Sequence, residues 1–225
     1  SCDIMIWHNV KKLGCMFMEN ILLHGLGQNS NDWNTVKNAL EEKGLPSVVP
    51  DLFELAKGRE LNYSNVYQAL DKLCDSYGQP LNLCGLSFGG LLALQYAIAH
   101  PEKINSLVLM GTPFVIPRKL LKFQSFLFQL MPKSAFQNIG CSKKDFSNLS
   151  KSMTDLNFMQ SSAQLDCPAL ILCGANDKAN MESARLFHDA MKNSRCIIVE
   201  DCGHEVNKDH PYRVANILQG FWNEC

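Results

Sequence analysis

The stretch Asn82–Gly90, NLCGLSFGG, decides how the rest of the chain is read. The short apolar run Leu81 to Cys84 reads as a strand. Phe88 to Ala99 reads as a helix, stopped by His100-Pro101. Between them Ser87 stands in a turn of small residues. A glycine-rich turn with an incidental serine is one reading. The other is a nucleophile on a tight, strained turn, with Gly85 and Gly89 letting strand and helix approach closely. On the second reading the Ser87 hydroxyl is lifted above the C-terminal edge of the sheet, at a helix N-terminus. Backbone N–H groups and the helix dipole favour negative charge there. Five residues do not separate the two readings, so the decision rests on partners elsewhere in the chain.

On either side of this stretch, short apolar runs alternate with amphipathic stretches. Strands are expected at Met18–Leu23, Pro46–Val49, Leu81–Cys84, Ser106–Met110, Ala169–Cys173 and Cys196–Val199. Helices are expected at Trp33–Glu42, with Asp32 as its cap, and at Val66–Tyr77, Phe88–Ala99, Met181–Met191 and Pro211–Trp222. This alternation argues for an α/β fold with a mostly parallel central sheet and helices on both faces. The near-continuous apolar runs fit strands covered on both sides. Between Met110 and Ala169 the rhythm breaks. That region is rich in aromatic and aliphatic residues, Phe114, Phe123, Phe126 and Leu127 among them, and then in Ser, Lys and Asn from Gln137 to Ser152. It is expected to be a helical lid, with a satellite of the core as the alternative. The expected organisation is a core of residues 1–111 and 169–225 with a cap at 112–168. Phe114, Phe123, Phe126 and Leu127 are then candidates for the substrate pocket.

A serine hydroxyl needs a base to become a nucleophile. Of the six histidines, His204 in EDCGHEV follows the strand Cys196–Val199 and so lies at the sheet's C-terminal edge. His100 sits at a helix end beside a proline, His188 inside a helix, and His8 and His210 lack supporting context. The base in turn needs an orienting acid. Asp177 in LILCGANDKAN follows the strand Ala169–Cys173, again at the C-terminal edge. Asp201 is a rival by proximity, but an acid three residues before His204 more often shapes its turn. The candidate catalytic set is Ser87, Asp177 and His204, in that chain order. LLHGLGQ, after the first strand, is a flexible turn whose amides can face a carbonyl oxygen. The backbone N–H groups of Leu26 and Phe88 are the candidate oxyanion donors, and His24 reads as a brace for that loop.

Composition narrows the classes. The chain has 225 residues, long enough for one domain with a sizeable core, at 46% hydrophobic and 19% charged. A net charge of −1 leaves no electrostatic footprint for nucleic acid. No apolar run reaches the ~18 residues of a membrane span. Ser1–Val10 lacks the basic leader and unbroken apolar core of an export signal. Ten cysteines without Cys-x-x-Cys or zinc-ligand spacing read as small core residues in a reduced, cytoplasmic setting. No metal or cofactor is expected.

At HGLG, GLSFGG, GAND and DCGH the chain resembles the α/β-hydrolase superfamily, from about Met18 to Trp222, in its small esterase and acyl-hydrolase members with a short helical cap. Ile4–Val10 and Cys15–Met18 loosely match the family's first strands. The resemblance implies a serine hydrolase of carboxylic esters or thioesters bearing an apolar group. The superfamily hosts many chemistries. Carbon–carbon bond hydrolysis, lyase or perhydrolase chemistry, and a non-enzymatic ligand-binding relative stand as alternatives. Ser87 argues against members that use an aspartate at this turn. Leu91 after Gly90 departs from the arginine of menaquinone-pathway members, and GLSFG is a poor match to the GGSWG of prolyl aminopeptidases.

Overall fold

Successive residues of the central strands point to opposite faces, and both faces are buried. The computed structural model describes residues 18–113 and 142–225. Within them six strands form one parallel sheet: β1 (Glu19–Leu23), β2 (Ser47–Val48), β3 (Leu81–Leu86), β4 (Ile104–Met110), β5 (Ala169–Gly174) and β6 (Ser194–Val199), in the order β2-β1-β3-β4-β5-β6. The α-helices are α1 (Asn34–Glu41), α2 (Leu52–Leu55), α3 (Tyr63–Asp75), α4 (Phe88–Ala99), α5 (Lys143–Ser152), α6 (Met159–Ser162), α7 (Met181–Ala190), α8 (Val206–Asp209) and α9 (Pro211–Trp222).

One face of the sheet presents Leu22, Cys84, Leu86, Val108, Met110, Leu170 and Leu172 to α1 and α9, which bring Val36, Leu40, Val214, Leu218 and Phe221. The other presents Ile21, Leu23, Leu83, Leu107, Leu109 and Ile171 to α3, α4 and α7. A parallel sheet sheathed on both sides needs apolar strands, as this sequence has. The strand order reverses between β1 and β3, so the loops that follow these two strands diverge and leave a crevice at their C-terminal ends. Open α/β sheets bind ligands at such switch points.

At the opposite end of the sheet a buried amide ladder fixes the register. Asn82 Nδ2 donates to Asn20 Oδ1 at 2.9 Å, and Asn20 Nδ2 donates to the Pro46 carbonyl at 2.9 Å. Asn82 Oδ1 accepts from Ser106 Oγ at 2.6 Å and Asn105 Nδ2 at 2.8 Å. Asn20, Asn82 and Ser106 are aligned across β1, β3 and β4, and a slip by one residue would strand these buried groups without partners.

Several boundaries differ from those expected. The first turn before α1 is a 3-10 segment, Ser30–Trp33, capped by Asn29. Asp32 is the reciprocal partner in a capping box and not the cap itself. Helix α3 begins at Tyr63 because the Asn62 side chain accepts from Asn65 N–H. Strand β3 runs on through Gly85 and Leu86, which pair with Leu109 and Met110. Helix α2 was not expected, and α5 was given no bounds of its own within the helical cap expected at 112–168. Asp51 caps α2, and Ser142 with Asp145 forms a capping box for α5. Leu149, Met153, Phe158 and Leu165 join the core beneath α3 and α4. Ile4–Val10, the Cys15–Phe17 part of the second run, and the candidate pocket residues Phe114, Phe123, Phe126 and Leu127 lie outside the described residues.

Truncating Asn82 to Ala leaves Asn20 Oδ1 and the Ser106 hydroxyl buried without their partner. The expected cost is about 2–3 kcal/mol, read as a lower urea midpoint at unchanged m-value. Replacing Asn20, Asn82 and Ser106 together with apolar residues of similar volume is expected to recover most of that loss.

Candidate active site

Ser87 links β3 to α4 with φ 51° and ψ −109°, a conformation that non-glycine residues rarely adopt. The surroundings enforce it. A Cβ at Gly85 would fall on the backbone of Gly89 and Gly90, and one at Gly89 on the carbonyls of Leu23 and His24. Strand and helix therefore meet at a distance that only glycine permits. Ser87 N–H donates to the Met110 carbonyl at 2.8 Å, which pins the turn to the end of β4.

One residue further along β4's exit, Gly111 has φ 49°, and a Cβ there would lie 3.0 Å from His204 Nδ1 and 3.2 Å from Asp177 Oδ2. The end of β4 is thus the point against which the serine turn is tied on one side and the histidine ring packs on the other. His204 Nδ1 is 2.7 Å from Asp177 Oδ2. The His204 side chain is 41% exposed and that of Asp177 4%, so the ring bridges a buried acid and an open edge. With Nδ1 committed to the acid, Nε2 is the ring nitrogen that remains for a further partner. Burial pushes the Asp177 carboxyl up. Hydrogen bonds from His204 and Asn180 and the attraction of the His204 ring outweigh burial, and hold it below the usual carboxylate range.

Asp201 does not reach the histidine. It is exposed, holds φ 55° in the turn, and its carbonyl accepts from His210 Nε2 at 3.2 Å. Asp209 braces the same turn, with Oδ2 2.9 Å from Gly203 N. Cys202, between them, is buried, and burial and then the Asp209 carboxylate push its thiol up to about 11, away from the reactive thiolate.

On the other side of the crevice, Gly25–Gln28 is a β-turn closed by Gln28 N–H to the Gly25 carbonyl at 3.1 Å, with Gly27 at φ 94° in its third position. That geometry leaves the Leu26 N–H out of the turn's own bond. The Phe88 N–H is the first of α4 and has no intrahelical acceptor. Two side chains that no local sequence signal singles out hold this loop. Gln28 Nε2 donates to Glu205 Oε1 at 2.9 Å and Asn207 Oδ1 at 3.2 Å, and Asn207 Nδ2 returns a bond to Gln28 Oε1 at 3.3 Å. Residues almost a whole chain apart thereby join the loop after β1 to the segment after His204.

His24 is fully buried. Its Nε2 accepts from Leu52 N–H at 3.0 Å, which leaves Nδ1 to donate to the Gly25 carbonyl at 3.1 Å, and its ring meets Phe53 edge-on. It braces the loop from below, and burial holds its pKa below the ordinary histidine value. Among the described residues, one group has metal-ligand character: Asp71, Asp75 and His100. Lys103 Nζ lies 2.6 Å from Asp75 Oδ1, so the charge there already has a cation.

A parallel sheet with a serine on a strained strand-to-helix turn and a histidine–aspartate pair at the same edge defines an α/β hydrolase architecture. A family model described as the alpha/beta hydrolase fold matches residues 21–140, and the chain belongs to that family. It is 23% identical over 239 residues to a pimeloyl-(acyl-carrier protein) methyl ester esterase of Aeromonas hydrophila subsp. hydrophila, covering 89% of this chain and 94% of that one. It is 25% identical over 225 residues to Lipase 1 of Psychrobacter immobilis, covering 82% and 70%. A thermophilic esterase from Thermogutta terrifontis, solved with malate bound, superposes with a TM-score of 0.74 at 19% identity, over 92% of this chain and 90% of that one. No helix among the described residues is long and apolar enough to cross a membrane.

The buried neutral His24 makes stability depend on pH. Its folded pKa lies below its unfolded one, so the unfolded chain binds the extra proton first as pH falls. The contribution is complete above about pH 6.5 and drains away below it, by at most about 1.4 kcal/mol per pH unit. Denaturant midpoints measured from pH 7.5 to 5 are expected to fall for the wild type. In His24→Gln the midpoint starts lower and falls less steeply.

Proposed function

We propose that the chain is a serine hydrolase that cleaves carboxylic esters or thioesters through an acyl-enzyme on Ser87. The observation that carries this reading is the 2.7 Å contact between His204 Nδ1 and Asp177 Oδ2, at the sheet edge onto which the Ser87 turn opens. The esterase and lipase among its relatives support it.

In this mechanism the His204 Nε2 takes the Ser87 proton as Oγ bonds to the substrate carbonyl carbon. Asp177 fixes the ring and balances the imidazolium. The carbonyl oxygen becomes an oxyanion facing the N–H groups of Leu26 and Phe88, each such donor being worth roughly 3–4 kcal/mol in the transition state. His204 returns the proton to the departing alcohol or thiol, and the carbon–oxygen or carbon–sulfur bond breaks. Water, deprotonated by His204, then attacks the acyl carbon and releases the acid and Ser87. The apolar residues Phe114, Phe123, Phe126 and Leu127 are proposed to line the pocket for an apolar acyl or alcohol group, within a cap spanning 112–168.

The experiment is a panel of p-nitrophenyl esters from acetate to laurate, run on the wild type and Ser87→Ala. Turnover is expected to peak at one chain length and to fall on the order of 10⁴–10⁶-fold in the variant. A serine-directed phosphonate should label the wild type only. Wild-type turnover in Ser87→Ala would end the proposal.

A further inference from the structure

We infer that Asn180 is a positioning residue that aims the Asp177 carboxylate at His204; this rests on the hydrolase reading above. Asn180 occupies the N-cap position of α7, a place where asparagine side chains ordinarily accept from the first turn's N–H groups. Here it makes no such bond. The helix start is tied instead through the backbone, with Met181 N–H donating to the Asp177 carbonyl at 3.1 Å. The Asn180 side chain is released from capping and turned toward the acid.

Its amide nitrogen donates to both carboxylate oxygens, at 3.0 Å to Oδ1 and 2.9 Å to Oδ2. The carboxylate itself selects this orientation, because the reversed amide would set oxygen against oxygen. Oδ2 is shared with His204, whereas Oδ1 is reached, among the described side chains, by Asn180 alone; the Asn180 backbone N–H adds a weaker hold on the same carboxylate. Both residues are buried. A carboxylate with one oxygen unmet in such a place rotates or takes up a proton. Either change loosens the line from Oδ2 to Nδ1. The Asn180 nitrogen also lies 3.2 Å from His204 Nδ1, so it stands beside the junction between acid and ring, with both nitrogens donating to the same carboxylate. Asn180 touches no reacting atom in this arrangement and acts only through the pair.

The charged and titratable surroundings leave the pair to itself in the neutral range. From β5 the Cys173 thiol faces Asp177, with burial pushing it up to about 12. The Cys202 thiol approaches from the turn after β6, and Asp209 and Arg213 stand behind it. Asp209 is committed to Gly203 N–H. Removing the Asn180 donor concentrates charge on the carboxylate, so the first proton added to the Asp177–His204 pair binds more readily. The acid limb of the rate profile therefore moves to higher pH.

The test compares Asn180→Leu, which has similar volume and no donor, with Asn180→Asp, which adds a like charge, and Asn180→Ser, which shortens the reach. Expected for Asn180→Leu are a kcat lower by on the order of 10-fold, an unchanged KM, and an acid limb at higher pH. A larger upward shift is expected for Asn180→Asp, with Asn180→Ser resembling Asn180→Leu. The His204 ring titration is followed by NMR in parallel, its resonances assigned by their absence in His204→Gln, and should shift upward with the limb. Any one folded variant suffices, since folding is scored separately by thermal melting. An unshifted acid limb and ring titration in a folded donor-less variant would overturn the inference, whatever happens to kcat. If the wild type hydrolyses no ester, the hydrolase reading fails and the ring titration alone decides on Asn180: shifted upholds it, unshifted overturns it.

Discussion

The meeting of β3 and α4 across Gly85, Gly89 and Gly90 is the constraint on which the site depends. An unconstrained serine would leave φ 51°, ψ −109°, since such backbone strain costs on the order of 1–3 kcal/mol. It is held there because the strand ends in a central, fully paired position and the helix starts against the backbone of β1's exit. Each side of the turn is anchored in a different part of the core. The strand belongs to the sheet, the helix to the apolar layer of Leu91, Leu92, Leu94 and Tyr96. Relaxing Ser87 would require one of those layers to move. Core packing density makes that more costly than the strain.

That anchoring explains why the remaining parts converge on the same edge. All strands are parallel, so every strand that ends at the C-terminal side delivers its loop there. β1 delivers His24–Gln28, β3 Ser87, β4 Gly111, β5 Asp177 and Asn180, and β6 His204. Gly174 and Gly111 admit the close contacts between neighbouring exits: a Cβ on Gly174 would strike the Cys202 and Gly203 carbonyls. The two ends of the sheet divide the polar work. At the N-terminal end the Asn20–Asn82–Ser106 ladder is internally satisfied and sets register. At the C-terminal end His204 keeps one nitrogen for Asp177 and one side open.

The fold and the three strand-end motifs were legible because each rests on a local signal: an apolar run, then a small residue or an acid at its end. The ends of α4 and α9 were legible for the same reason, since His100-Pro101 and Pro211 punctuate them. The bounds of α5 within the expected helical cap were hidden by its composition. Lys143, Lys144, Ser150 and Lys151 read as a solvated tract, and the spacing of Phe146, Leu149 and Met153 emerges only once Ser142 and Asp145 are seen as a capping box. Tyr63 was missed as a helix start because the apolar pattern strengthens at Val66, whereas Asn62 sets the boundary. Gln28 and Asn207 were illegible in principle, since nothing local to either residue records a contact across so much chain.

Asn180 is the instructive case, because a correct local rule points the wrong way there. An asparagine ahead of a helix reads as its cap, and the helix does begin at the next residue. Yet the side chain is engaged by a buried negative charge, and a charge-assisted hydrogen bond outweighs a neutral cap bond by roughly twofold. Asp32 is a different case: it sits at the third position of the turn and accepts from Asn29 N–H, while Asn29 makes the ordinary cap bond. Around the proposed catalytic pair, the strongest unsatisfied acceptor claims the nearest donor, and the helix terminus makes do with the backbone. Local sequence rules therefore yield where a charge is buried, and in this chain the buried carboxylate at that edge is the one His204 Nδ1 contacts.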